Sequence, residues 1–129
     1  MKIGHIALWT RDLERLKDFY VEFFGGKPNE KYVNPKTGFE SYFIAFEAGA
    51  RLEIMCQAGI PENRNDVDEQ YLGYIHLAIS TGSRAQVDEL TERLRARGYR
   101  VVSEARETGD GYYESCVLDP DGNRVEITA

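Results

Sequence analysis

Apolar positions along this chain follow two periods, and the order in which the periods alternate occurs twice. Near the start, Ile6 and Leu8 alternate with His5, Ala7 and Trp9, as on a half-buried strand. Leu13, Leu16, Phe19, Tyr20, Phe23 and Phe24 then recur at helical spacing with charged residues between them. Thr10 or Asp12 can cap the start of that helix, and Gly25-Gly26 followed by Pro28 closes its end. Three strand-like runs follow, at about 27–33, 39–46 and 50–57. The same succession begins again at His76-Leu77-Ala78-Ile79. Ser83 and Gln86 form a capping box, Val87, Leu90, Leu94 and the stem of Arg97 make the buried stripe, and Gly98 ends the helix. Strand-like runs at about 99–104, 112–118 and 124–128 complete it. Glu47-Ala48-Gly49 and Asp119-Pro120-Asp121-Gly122 supply the turns between the last two strands of each half. Each half therefore reads β-α-β-β-β, about 1–57 and 74–129, joined by a polar linker at 58–73.

The repetition extends to single residues. Leu52-Glu53-Ile54 in the first half matches Val125-Glu126-Ile127 in the second, and His5 matches His76. The histidines are 71 positions apart and the glutamates 73, so the halves keep nearly one register, which identifies a duplication. Side chains alternate across a strand. Ile6 with Leu8, Leu52 with Ile54, Leu77 with Ile79 and Val125 with Ile127 are therefore expected to face the helix of their own half. The opposite faces each carry one metal-capable residue: His5, Glu53, His76 or Glu126. A lone histidine or glutamate on a strand is usually structural or solvated. Four at matching places in a repeated unit point instead to one divalent ion.

These are the only two histidines in the sequence. Two imidazoles with two carboxylates suit Ni²⁺ or Zn²⁺, and also Co²⁺, Mn²⁺ or Fe²⁺, and the carboxylates balance the ion's charge. Without an ion, two ionised glutamates in one concave site would repel each other and lose hydration.

Composition narrows the class. The 129 residues fit one domain, 42% hydrophobic and 29% charged, as in an ordinary globular protein. A net charge of −6 and a pI near 5 argue against a nucleic-acid partner. No apolar run reaches the roughly 20 residues that cross a bilayer, and no export signal is read at the N-terminus, so a cytoplasmic protein is expected. Cys56 and Cys116 form no Cys-x-x-Cys pair and read as free thiols in a reducing compartment.

His5, Glu53, the segment GYIHLAIS around His76 and the closing LDPDGNRVEI around Glu126 resemble the vicinal oxygen chelate superfamily, and most of all its glyoxalase I branch. The resemblance covers essentially the whole chain. It implies an α+β fold in which two βαβββ modules form a cup-shaped, incompletely closed barrel with the helices outside. It also implies one divalent metal per site and a small-molecule substrate, the thiol adduct of an oxoaldehyde. The activity implied is lactoylglutathione lyase-like: isomerisation of a 2-oxoaldehyde–thiol hemithioacetal to a 2-hydroxyacyl thioester through a metal-stabilised enediolate. By the same resemblance Glu126 is the base, Glu53 balances it across the substrate, and His5 and His76 are fixed ligands. A homodimer is implied, since family members often share each site between two chains.

Where the bacterial branch commonly has an arginine and an asparagine that meet glutathione, this chain has Trp9 and Gln57. Trp9, Met55 and Gln57 are thus candidates for the substrate pocket, and Arg11 is a candidate substitute. Tyr112 and Tyr113 follow Gly109-Asp110-Gly111, which reads either as a plain hairpin or as a loop over the site. The alternatives are a protein that binds a small toxin or antibiotic on the same fold, or a related epimerase or dioxygenase.

Overall fold

A computed structural model describes all 129 residues, Met1–Ala129. The chain divides into two compact units, Met1–Asn63 and Arg64–Ala129. The first unit contains β1 (His5–Trp9), α1 (Leu13–Phe24), β2 (Lys27–Pro28), β3 (Tyr32–Val33), β4 (Glu40–Ala45) and β5 (Arg51–Cys56). The second contains β6 (His76–Ser80), α2 (Arg84–Ala96), β7 (Val101–Glu107), β8 (Tyr113–Leu118) and β9 (Arg124–Thr128).

In the first unit Asp12 is the N-cap of α1, its carboxylate accepting the amide hydrogen of Arg15 at 3.0 Å. Thr10 instead steadies the approach, its hydroxyl oxygen accepting from the Asp12 amide. The two glycines that end α1 do different work. Gly25 takes the left-handed cap conformation, φ 65°, where a side chain is strained. Gly26 allows close approach, because a β-carbon there would lie 2.5 Å from the Ile44 side chain. One sheet runs β1-β5-β4-β2, with β3 also paired to β4. The other has the matching order β6-β9-β8-β7. In both, the first strand of the module runs parallel to its last, and neither sheet closes on itself. The expected α+β fold of two βαβββ modules is therefore present.

The strand expected at about 99–104 lies at Val101–Glu107, and three further details differ from expectation, each for an identifiable reason. The run at 27–33 is two short pieces rather than one strand. The Asn29 side-chain oxygen accepts the Phe43 amide at 2.7 Å in place of a backbone carbonyl, and Pro28 brings no donor. On α2, Thr91 is buried in the stripe where the Arg97 stem was expected, while Arg97 is exposed and Leu90 half-buried. The hydroxyl of Thr91 donates to the Val87 carbonyl at 2.6 Å and lies 2.6 Å from the equally buried Ser115 hydroxyl on β8. With the Thr91 proton so used, Ser115 donates to Thr91, and a polar pair is satisfied inside an apolar layer.

The third difference concerns the outer strands. Leu52, Ile54, Val125 and Ile127 are fully or nearly fully buried, as expected of the helix-facing side. Ile6 is 40% exposed and Leu8, Leu77 and Ile79 are half-buried. The helix of each unit lies over the part of its sheet away from the first strand, α1 on β4, β5 and β2 and α2 on β8, β7 and β9. A helix about 10 Å across cannot span a whole sheet of strands spaced about 4.8 Å apart, so β1 and β6, at the edges away from the helices, fall beyond it.

Thr91→Val is expected to cost about 1–3 kcal/mol, because it leaves the buried Ser115 hydroxyl without its acceptor. Adding Ser115→Ala should recover much of that loss. Denaturant unfolding of the two single variants and the double variant measures it, and additive losses would disprove the coupling.

Candidate functional site

The register of the outer strands brings the sequence candidates together in pairs. In the first unit β1 and β5 pair with His5 opposite Arg51, Ala7 opposite Glu53 and Trp9 opposite Met55. His5 and Glu53 therefore share a face one step apart, and His5 Nε2 lies 3.6 Å from Glu53 Oε2. In the second unit β6 and β9 pair with His76 opposite Arg124 and Ala78 opposite Glu126. His76 Nε2 lies 3.1 Å from Glu126 Oε2. The two pairs are thus built by the same register on the same kind of parallel strand pair.

Burial is graded in the same way in both. The side chains of His5 and His76 are 46% and 39% exposed, while those of Glu53 and Glu126 are 15% and 21% exposed. Each glutamate sits on an inner strand, flanked on both sides, and each histidine sits on the edge strand. Within each unit the carboxylate oxygen and imidazole nitrogen lie next to each other on an accessible face, two donors of the kind a borderline divalent ion takes. Neither pair has a third His, Cys, Asp or Glu of its unit gathered with it as a metal-holding group.

The surroundings of the two glutamates differ. Burial pushes the Glu126 carboxyl above the ordinary carboxylate range; Glu114 adds to that rise, while His76 and Arg106 oppose it. Glu114 lies on the same face, opposite Thr128, and Arg106 pairs with it from β7 at 4.0 Å. Directly opposite Glu126 on β8 stands Cys116, buried, with its thiol pushed up by that burial. A protonated, buried thiol is inert, so Cys116 is packing material. Opposite Glu53 on β4 the equivalent place is Phe43. The Phe43 ring meets His5 edge-on at 5.4 Å and carries the Arg51 guanidinium over its face at 4.4 Å.

Arg51 and Arg124 are site neighbours that the sequence reading passed over. Each faces a histidine directly across the ladder. Arg51 stacks on Phe43, whereas Arg124 donates to the carbonyls of Val67, at 2.8 Å, and Glu69, at 3.4 Å. Arg100 pairs with Asp68 in the same stretch, so the residues just before β6 are tied to the strand that carries Glu126. A signal for both arginines was present: Arg51-Leu52-Glu53-Ile54 and Arg124-Val125-Glu126-Ile127 repeat at a third matching position.

Of the pocket candidates, Trp9 is 42% exposed and Met55 half-buried on the Glu53 side of the sheet, with half-buried Gln57 following β5 in the same parity. Arg11 is engaged with Glu62 at 2.8 Å. In the second unit Tyr112 is 59% exposed, next to a closed turn in which the Thr108 hydroxyl bonds Asp110 and the Tyr112 carbonyl and amide. The Tyr113 hydroxyl donates to Asp88 on α2 at 2.7 Å. These bonds close the turn between β7 and β8, and Tyr113 fastens the helix to the sheet. No helix is long and apolar enough to cross a membrane.

A family profile described as the Glyoxalase/Bleomycin resistance protein/Dioxygenase superfamily matches residues 2–127. The chain is 32% identical to the uncharacterized protein YqjT of Bacillus subtilis (strain 168), over 97% of this chain and 96% of that one. It is also 32% identical to lactoylglutathione lyase of Escherichia coli O157:H7, over 98% of this chain and 91% of that enzyme. A glyoxalase I variant from Zea mays has a similar fold, with a TM-score of 0.79 and 24% identity over 98% of this chain. The chain spans only 44% of that maize protein, and only 42% of a lactoylglutathione lyase of Arabidopsis thaliana to which it is also similar.

Proposed function

The chain belongs to the Glyoxalase/Bleomycin resistance protein/Dioxygenase superfamily, and within it we propose a metal-dependent isomerase of glyoxalase I type. Its substrate would be the hemithioacetal formed by a 2-oxoaldehyde and a thiol, and its product a 2-hydroxyacyl thioester. The observation that carries this reading is the repeated His–Glu pair, 3.6 Å apart in one unit and 3.1 Å in the other, set by identical strand register. Similarity to lactoylglutathione lyases over most of their bacterial length supports the same reaction class.

The residues fit a divalent ion. His5, Glu53, His76 and Glu126 are the proposed ligands, one pair from each kind of unit, giving two neutral nitrogens and two carboxylates that balance a double charge. Ni²⁺ or Zn²⁺ is the proposed ion, in a homodimer. When bound, the ion supplies positive charge that stabilises negative charge developing on two neighbouring substrate oxygens.

The remaining work falls to the chain. Glu126 takes the proton from the carbon bearing sulfur and returns it to the adjacent carbon, while the hydroxyl proton of the first carbon's oxygen passes to the second carbon's oxygen, so that the carbonyl and the hydroxyl exchange places. The two carbons lie about one bond length apart, so one carboxylate can serve both, with no net proton exchange required. Glu53, less exposed and without a carboxylate neighbour like Glu114 opposite its strand partner, is proposed as the counter-charge on the other side of the substrate. His5 and His76 stay as ligands, and the Phe43 edge against His5 holds one ring in place.

Metal removal and return tests the proposal. Stripped of metal, the protein should lose isomerisation of hemithioacetals made from methylglyoxal and either glutathione or a small neutral thiol. Ni²⁺ or Zn²⁺ should restore it for at least one of them. Tight stoichiometric metal binding without turnover of any hemithioacetal would overturn the reaction assignment.

A further inference from the structure

The Glu53 face of the first sheet is built in cross-strand rows. One row runs Ala7, Glu53, Phe43. The next row on the same face runs Trp9, Met55, Ser41, Tyr32, across β1, β5, β4 and β3. Same-face rows are two residues apart, so the second lies about 7 Å from the first. Phe39, one residue ahead of β4, belongs to this face by parity. It links the ends of the row, 6.0 Å and nearly perpendicular from Trp9 and 6.1 Å from Tyr32. Trp9 and Tyr32 remain 42% and 53% exposed. Ser41, the small member of the row, is buried.

Two further features set this row apart. The rings are held in place. Phe39 leaves a closed turn in which the Asn34 amide donates to the Phe39 carbonyl at 2.8 Å and the Phe39 amide bonds Thr37 at 3.2 Å. A shelf already ordered loses little entropy when a ligand lands on it. The second unit shows what the duplication left in the same place: Ser80, Thr128, Glu114 and Arg106, a polar row. The His–Glu pair was kept in both units while the row beyond the glutamate became aromatic in one alone. Arg51 lies over Phe43, Arg11 pairs with Glu62 and Lys31 pairs with Glu14 and Glu40, and no member of the row is itself a cation that would answer an anionic tail.

We infer that the row formed by Trp9, Phe39 and Tyr32 seats a flat aromatic group of the substrate, attached within about one residue-row of its chelating oxygens, in preference to an anionic or small aliphatic one. This rests on the proposed chelation at Glu53. The aromatic group can belong either to the oxoaldehyde or to the thiol; an aromatic ring stacking on aromatic side chains is common to both.

Trp9 is the only tryptophan, so its emission reports on the shelf without any turnover. The metal-loaded protein is titrated with two pairs of inert probes. Mandelamide against lactamide places the ring on the oxygen-bearing side, and 2-(benzylthio)ethanol against 2-(ethylthio)ethanol places it on the thiol side. At least one aromatic probe should perturb Trp9 emission with a Kd tenfold or more below its aliphatic partner, and the pair that does so identifies the source. Phe39→Ala and Tyr32→Ala, which keep the reporter, should each shrink that ratio at least threefold. Equal affinities within both pairs, or ratios unchanged in both variants, would overturn the inference even where hemithioacetals are turned over. A tenfold preference without hemithioacetal turnover would keep the aromatic subsite and remove only the isomerase reading.

Discussion

Glu126→Gln should abolish most turnover, by a factor of about 10²–10⁴, while the protein stays folded and still takes up metal. The size of the effect follows from the role proposed: an amide cannot accept a carbon-bound proton, and no other side chain of the second unit stands where it could replace Glu126. Glu114 is nearest on that face, but it is paired with Arg106 at 4.0 Å. Retention of the fold follows from the packing. Val125 and Ile127, the neighbours of Glu126 on β9, are fully buried on the opposite face, and glutamine matches glutamate in shape. Burial disfavours the Glu126 charge, so removing that charge should leave unfolding free energy within about 1 kcal/mol of the parent. Metal binding should weaken only partly, since an amide oxygen remains at the same place. Steady-state kinetics beside a thermal melt and a metal titration separates these effects. A fully active Glu126→Gln protein would contradict the assignment of the base.

The second large effect concerns affinity. His5→Ala and His76→Ala should each lower divalent-metal affinity by about 10²-fold or more, because loss of an outer partner alone typically costs 10–100-fold and each histidine is proposed to touch the ion. Both imidazoles are more than a third exposed on edge strands, so their removal should scarcely change stability without metal. The His5 change also removes the edge-on contact with Phe43, which stays stacked under Arg51. Equilibrium titration against a competing chelator measures the constants. Parent-like affinity in either variant would remove that histidine from the ligand set.

Much of the fold was legible because its periods are clean. The helix of the first half carries an apolar stripe that α1 buries at Leu13, Leu16, Phe19, Tyr20 and Phe23, and Asp12 and Gly25 mark its ends. The last strand of the second half is found as expected, Arg124–Thr128, between a turn and the end of its alternation. The strand at 27–33 was misread as continuous because alternation does not reveal that an asparagine side chain will replace a carbonyl in the ladder. Thr91 was missed for a related reason: a hydroxyl is buried only when its partner, Ser115, is known to lie across from it.

The site was legible in the same uneven way. Strand parity and the repeat find His5, Glu53, His76 and Glu126, and place each His–Glu pair on one face. Only the register reveals that Trp9, Met55, Ser41 and Tyr32 form a row, since those residues come from four separate stretches of chain. Parity is a property of one strand, whereas a row depends on pairing that the sequence does not print.

Both His–Glu pairs are proposed to serve one ion. The direct measurement is a titration of metal-free protein with Co²⁺, followed by its visible absorption and by the metal retained per chain. One tightly held ion per chain is the predicted result, with no intermediate plateau. Two ions per chain bound independently would show that His5–Glu53 and His76–Glu126 act alone, and the absence of any tight site would show that neither pair is a metal centre.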